Sequence, residues 1–199
     1  MKLCEIMKMR NVFLVLIGIV ALVMFVLSCS NISSLDYVKK GEEYLRTHDY
    51  DRAIEYFTKA INKGGLSTKD LAITHKYRGF AYNAKGKFSA ALEDLNKAID
   101  LYPEYYAAYS DRGVVFTEEN QDNRALEDFN KAIALNPQYY MTYYNKACFY
   151  SKKNNTSEAC KCLKTAIEKG YSNWSHIKNY KCFDNIRQSA CYKNIMSGR

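Results

Sequence analysis

Two stretches of the sequence are nearly identical: Ala91–Ile99 reads Ala-Leu-Glu-Asp-Leu-Asn-Lys-Ala-Ile, and Ala125–Ile133 reads Ala-Leu-Glu-Asp-Phe-Asn-Lys-Ala-Ile. They are 34 residues apart, and the same interval separates Gly79 from Gly113. A fixed period of roughly this size is typical of stacked arrays of helix pairs. The repetition therefore predicts a fold that is built from copies of one two-helix unit.

The pattern within one unit indicates how its helices pack. Gly79 in the first helix and Ala91 in the second are small, which lets two antiparallel backbones approach closely. Tyr82 and Leu95 belong to the apolar stripe that recurs at helical spacing, and Pro103 ends the second helix. One such hairpin leaves apolar surface on both sides, so the array is expected to be the folding unit.

These units resemble tetratricopeptide repeats, whose signature is a small residue and an aromatic on the first helix, then Ala, an aromatic and Ala on the second. Two further copies follow the same offsets, one around Gly41 and one around Ala147. The resemblance implies an all-α, right-handed α-solenoid of four repeats with C-terminal capping helices. The predicted repeats are 34–65, 66–105, 106–139 and 140–171, followed by a capping segment, 172–199. Repeat 2 has four extra residues at its start, which predict a longer loop or an extra helical turn.

Residues 1–28 do not follow the repeat pattern. They combine a basic start with the apolar run Val12–Leu27, which is typical of an export signal or signal-anchor helix. The end of this run resembles a bacterial lipobox, which implies lipid on Cys29 and a short tether, 29–33. An uncleaved signal anchor, making a single-pass membrane protein, is the alternative. Both readings place the repeats outside the cytoplasm of a bacterial cell, on the periplasmic or surface side of a membrane.

Few residues suggest catalytic chemistry. The three histidines have no second ligand at metal spacing, and His75 replaces an aromatic repeat residue, which predicts a packed histidine. Glu93-Asp94 and Glu127-Asp128 recur at the same repeat positions and are interpreted as solvated faces. There is no phosphate-binding glycine-rich loop and no nucleophile elbow. We therefore expect no enzyme activity, no cofactor and no metal site.

Five cysteines remain after Cys4 and Cys29 are set aside, and an odd number cannot all pair. They are Cys148, Cys160, Cys162, Cys182 and Cys191. Cys160 and Cys162 are two apart on a helix and point to different sides, so they cannot bridge each other. Cys160 is predicted to be a small apolar core residue. Because export would permit disulfides, Cys182 with Cys191 is the pair expected to form if one does.

The resemblance to tetratricopeptide repeats implies a concave groove, lined by the first helix of each pair. Relatives that clamp a peptide carboxylate carry Lys, Asn and Arg in this lining, and here only Lys76 and Asn83 remain. Phe80 and Val114 are apolar, so the groove suits an apolar or amphipathic peptide segment. The alternative is that these apolar residues only contact one another. The candidate groove residues are Val38, Glu42, Leu45, Lys76, Phe80, Asn83, Ser110, Val114, Thr117, Tyr144, Cys148 and Ser151.

Charge is unevenly distributed along the chain, whose formal net charge is +8. Residues 140–199 hold 11 Lys and Arg against 3 Asp and Glu, a net charge of +8, whereas residues 29–139 hold 15 against 17, a net charge of −2. A basic surface formed by residues 140–199 would attract an anionic partner. The alternative is a plain solvated face. Nucleic acid is not expected. The candidate basic patch consists of Lys152, Lys153, Lys161, Lys164, Lys169, Lys178 and Lys181.

The sequence as a whole predicts a membrane-tethered scaffold that binds other proteins through the groove. The alternative is an accessory subunit of a cell-envelope assembly, secretion or cell-wall machine that is active only in complex.

Overall fold

The computed structural model describes residues 32–197, which form ten α-helices, one short 3-10 helix and no β-strand. The predicted all-α solenoid is confirmed over this range. The leader 1–28 and the predicted lipid-bearing Cys29 lie outside the described residues. The α-helices are α1 Ser34–Arg46, α2 Tyr50–Lys63, α3 Thr68–Ala84, α4 Phe88–Leu101, α5 Tyr106–Glu118, α6 Asp122–Leu135, α7 Tyr140–Lys152, α8 Thr156–Glu168, α9 Trp174–Asn179 and α10 Ala190–Ser197.

Consecutive helices pack as four hairpins: α1 with α2, α3 with α4, α5 with α6, and α7 with α8. Each hairpin also contacts the next, and the first helices α3, α5 and α7 lie side by side along the array. Within residues 32–197, no helix combines the length and the hydropathy that crossing a lipid bilayer requires.

Local capping explains where two of the first helices begin. Ser33 and Asp36 form a reciprocal capping box at the start of α1, and the Ser67 side chain accepts a hydrogen bond from the Asp70 backbone at the start of α3. Helix α3 has 17 residues, whereas α5 has 13. The four extra residues of repeat 2 therefore form one additional helical turn, which is one of the two outcomes predicted.

The first three hairpins pack closely around a glycine in the first helix, and the fourth has Ala147 at that position. A Cβ atom at Gly79 would lie 3.2 Å from the carbonyl oxygen of Ala91, as the predicted close approach requires. A Cβ atom at Gly113 would lie only 2.7 Å from the Phe129 ring. The small residue therefore makes room for a large side chain on the second helix as well as for the facing backbone.

The acidic residues of the second helices correct one prediction. Glu93 and Glu127 are exposed, but Asp94 is only 3% exposed and forms a two-bond ion pair with Arg78 at 2.8 Å. Burial opposes the charged form of Asp94, yet hydrogen bonds from Arg78 and His75 lower its pKa below the usual range. His75 is itself buried, as predicted, with Nδ1 2.8 Å from Asp94. The carboxylate is therefore part of the core and not of a solvated face.

The same ion pair recurs one repeat later and joins neighbouring repeats. Arg112 contacts Asp128 through two nitrogens, at 2.7 and 2.8 Å, and its third nitrogen donates to Asn96 of the preceding repeat. Arg78 likewise donates to Thr58 of repeat 1. An arginine offers several donors in one plane, so a single side chain can bond both second helices at once.

The C-terminal segment continues the period in a degenerate form. Helix α9 begins 34 residues after α7, and α10 begins 34 residues after α8, so the segment occupies the place of a fifth helix pair. Between them lies the 3-10 helix Lys181–Phe183. Ile177, Phe183 and Ile186 are buried against the fourth repeat. The segment covers apolar surface that would otherwise face water.

The predicted cysteine pairing is wrong. Cys148 bonds Cys182 and Cys160 bonds Cys191, with Cα–Cα distances of 5.1 and 6.2 Å, while Cys162 is a free buried thiol. Both bonds fasten repeat 4 to the C-terminal segment. The pairing follows from stacking, which brings residues about one period apart into contact. Cys160 is thus a bonded residue and not merely an apolar filler.

Candidate functional site

The twelve predicted groove residues differ greatly in exposure. Phe80 is 41% exposed, whereas the other eleven are half-buried or buried. The half-buried residues are Glu42, Leu45, Lys76, Asn83, Val114 and Cys148. The buried residues are Val38, Ser110, Thr117, Tyr144 and Ser151.

The buried residues are covered by the neighbouring first helix. Asn145 of α7 donates a hydrogen bond of 3.1 Å to the Ser110 hydroxyl of α5. Tyr144 is covered in turn by Tyr171 and His176, whose rings stack on it at centroid distances of 4.6 and 5.6 Å. These side chains hold the repeats together, so they do not present a surface to a partner.

One position is exposed or half-buried in every unit: it directly follows the small residue of the first helix, here called the marker residue, in repeats 1 to 4. We call its members the floor row: Glu42, Phe80, Val114, Cys148 and Cys182, with Cys182 following Cys148 by one period of 34 residues. The last two form a disulfide bond. The floor row therefore begins with a carboxylate and continues as an aromatic ring, an aliphatic side chain and a disulfide.

Two tyrosines extend the apolar floor. Tyr50 contacts Phe80 edge to face at a centroid distance of 6.5 Å. Tyr180 is 46% exposed, and its pKa is raised by burial of the hydroxyl and by the nearby Glu118 and Tyr50. The Tyr180 ring lies against the rings of His176 and Tyr144, at centroid distances of 4.6 and 6.4 Å. Aromatic rings beside the floor row therefore come from repeats 1 and 2 at one end and from the C-terminal segment at the other.

A polar cluster lies beside the first half of the floor row. Lys76 forms an ion pair with Asp111 at 3.1 Å, and both side chains are 14% exposed. Burial raises the pKa of Asp111, and attraction to Lys76 opposes that rise. Burial also raises the pKa of Tyr77, and the neighbouring Glu42 carboxylate adds to that rise. We call Glu42, Lys76, Tyr77 and Asp111 the Lys76 cluster.

Sequence reasoning missed Tyr77, Asp111, Tyr180 and Cys182. Tyr77 and Asp111 occupy the position two residues before the marker glycine, so applying one more offset of the repeat would have found them. Tyr180 and Cys182 were missed because the C-terminal segment was read as a cap and not as a further repeat.

His176 is hydrogen-bonded to two tyrosines. His176 Nδ1 lies 2.7 Å from the Tyr171 hydroxyl and 3.1 Å from that of Tyr144, and burial lowers its pKa. Across residues 32–197, no three His, Cys, Asp or Glu side chains are arranged to hold a metal ion.

Four of the seven lysines in the predicted basic patch form ion pairs with neighbouring carboxylates. Lys152 pairs with Glu118 at 2.9 Å and Lys153 with Asp122 at 2.7 Å, in each case reaching back to repeat 3. Lys161 and Lys164 each have a glutamate at 3.8 Å within α8. Lys169 contacts the Gln138 side chain at 3.3 Å, and Lys178 and Lys181 are exposed. An anionic partner for this patch stays a prediction.

Comparison with protein families identifies the repeat. Models described as tetratricopeptide repeat match residues 37–62, 72–105, 106–139 and 129–161. A stretch of 75 residues is 33% identical to Heat shock protein STI1 of Saccharomyces cerevisiae (strain ATCC 204508 / S288c), covering 38% of this chain. The matched stretch spans only 12% of the length of that curated relative.

Solved structures share the architecture. The crystal structure of MamA is 27% identical, with a TM-score of 0.57 over 73% of this chain and 83% of that chain. The first TPR of Spaghetti (RPAP3), bound to the HSP90 peptide SRMEEVD, is 25% identical, with a TM-score of 0.50 over 68% of this chain and 91% of that chain. At least one similar repeat array thus binds a short peptide.

Proposed function

The chain belongs to the tetratricopeptide repeat family, and we propose that it is a non-enzymatic, membrane-tethered scaffold that holds a segment of another protein in its groove. The repeats form a protein-protein interaction domain. The observation that carries the proposal is the floor row, in which the Phe80 ring is exposed beside the Tyr50 ring and the Lys76 ammonium. A large apolar side chain that remains in water is unfavourable, and apolar surface rimmed by polar residues is characteristic of binding sites.

The proposed location is the outer side of a bacterial membrane, with lipid on Cys29. The disulfides Cys148–Cys182 and Cys160–Cys191 support this, because disulfides persist in oxidising compartments and are rare in the cytosol. The apolar run Val12–Leu27, followed closely by Cys29, supplies the sequence basis for the tether.

Replacing Phe80 by lysine should abolish partner capture and leave the helical content unchanged. The substitution puts a charge at the centre of the apolar floor, where a bound apolar side chain would have to desolvate it. Capture is measured by pull-down from detergent-solubilised membranes, and helical content by far-UV circular dichroism.

Ala134→Lys is the matched control, because it also introduces a lysine at an exposed apolar residue but on a second helix, α6. It should retain the partner. If Phe80→Lys captures as much partner as the wild type, the binding site does not lie on the floor row. Recovery of one stoichiometric complex would instead favour an accessory subunit of an envelope machine.

The mature protein should begin at Cys29 and carry lipid. Mass spectrometry of the N-terminal peptide from membranes measures this directly, and Cys29→Ser should leave the leader uncleaved. An intact Met1 or an unmodified Cys29 in the wild-type protein would contradict lipidation and favour a signal anchor.

A further inference from the structure

We propose that the groove selects an apolar segment with a basic residue at one end, seated over Glu42, and that Asp111 makes the groove reject acidic peptides. This inference rests on the proposed groove function and adds the charge of the partner. It follows from the ion pairing of the Lys76 cluster and from the composition of the floor row.

The one cationic side chain at the predicted groove positions is already paired with a carboxylate. Lys76 is the one lysine or arginine among the twelve groove positions, and its ammonium lies 3.1 Å from the Asp111 carboxylate. It also lies over the Tyr77 ring, 4.8 Å from the centroid. A peptide carboxylate would have to compete with Asp111 for this ammonium, at a site where both side chains are largely removed from water.

The cluster contains two carboxylates for one ammonium. Glu42 is half-buried and belongs to the floor row, whereas Asp111 is paired with Lys76, so Glu42 is the acidic group that a bound segment would meet first. A lysine or arginine side chain placed there would find a carboxylate as well as aromatic surface. The basic end of the partner therefore lies over repeat 1.

The remainder of the floor row determines which side chains the rest of the bound segment should carry. Phe80, Val114 and the Cys148–Cys182 disulfide offer no ionised group, and Tyr180 closes the far end with an exposed ring. Apolar side chains are the ones that gain free energy by covering this surface. The peptide SRMEEVD, which the RPAP3 domain binds, carries three acidic side chains and so differs in charge from the segment proposed here.

Fluorescence anisotropy with three labelled peptides tests the proposal on the purified, oxidised protein. The probes are an amphipathic apolar peptide with lysines at one end, the same peptide with glutamates at that end, and SRMEEVD. We expect the lysine peptide to bind about tenfold more tightly than the glutamate peptide, which is about 1.4 kcal/mol, and SRMEEVD to bind more weakly than either.

Two variants, Glu42→Gln and Asp111→Asn, test whether the charge preference comes from the Lys76 cluster. Glu42→Gln should remove most of it, whereas Glu43→Gln, at the exposed neighbouring residue, should preserve it. Asp111→Asn releases Lys76 from its ion pair and should strengthen SRMEEVD binding. A wild-type protein that binds the glutamate peptide or SRMEEVD as well as the lysine peptide would overturn the proposal.

The two proposals fail in different ways. If no peptide binds but a photo-cross-linker at position 80 still captures a partner in membranes, the charge preference is wrong and the groove function stands. If the cross-linker at position 80 captures nothing and no peptide binds, both are wrong.

Discussion

Replacing Phe129 by alanine should lower the free energy of unfolding by about 4 kcal/mol. The Phe129 ring is fully buried, rests on Gly113 and contacts the Phe149 ring edge to face at a centroid distance of 6.1 Å. Its removal leaves a cavity between repeats 3 and 4, because a glycine on the facing helix cannot fill the space. Chemical denaturation followed by far-UV circular dichroism measures the loss.

Phe80→Ala is the matched control for this experiment. The same side chain is removed, but from an exposed position of α3, so the free energy of unfolding should change by no more than about 0.5 kcal/mol. The pair of variants separates a phenylalanine that holds repeats together from one that is available to a partner. Equal destabilisation by the two variants would contradict the assignment of Phe80 to an open floor.

Replacing Cys160 and Cys191 together by serine should destabilise the C-terminal segment by about 3 kcal/mol. The bond closes a loop of 31 residues, so its loss gives the unfolded segment more conformations to occupy. Trp174, the single tryptophan of the chain, lines a depression beside Cys160 and Cys191, so its fluorescence reports unfolding of this end.

Cys162→Ala is the control, since this thiol is unbonded and its replacement should cost no more than about 1 kcal/mol. The circular dichroism transition, which reports helices of the whole array, should shift less than the Trp174 transition in the double serine variant, because each repeat contacts only its neighbours. If the Trp174 transition of the double serine variant coincided with that of wild type, the bond would contribute nothing to holding the segment.

Much of the fold could be read from the sequence because its signals are local. The 34-residue period, the small residues at Gly79 and Ala91, and the caps at Ser33 and Ser67 each act within a single hairpin. The offsets of the same repeat identified Phe80 and Val114 as floor residues. The wrong expectations concern the partner of Cys182, which lies in another repeat, and the burial of Asp94, which depends on side chains of the facing helix.

The amino-acid sequence by itself determined that this chain folds as a stacked array of paired helices, because the pattern that pairs two helices is contained in each repeat. Only the tertiary structure decided that Cys148 joins Cys182, that Asp94 and Asp128 are buried, and that Asp111 neutralises Lys76. The disulfide and the Lys76–Asp111 ion pair depend on the angle and distance between one helix pair and the next, whereas Asp94 and Asp128 are paired with arginines of their own helix pair. That angle and distance result from the packing of many side chains together, and no single repeat encodes them.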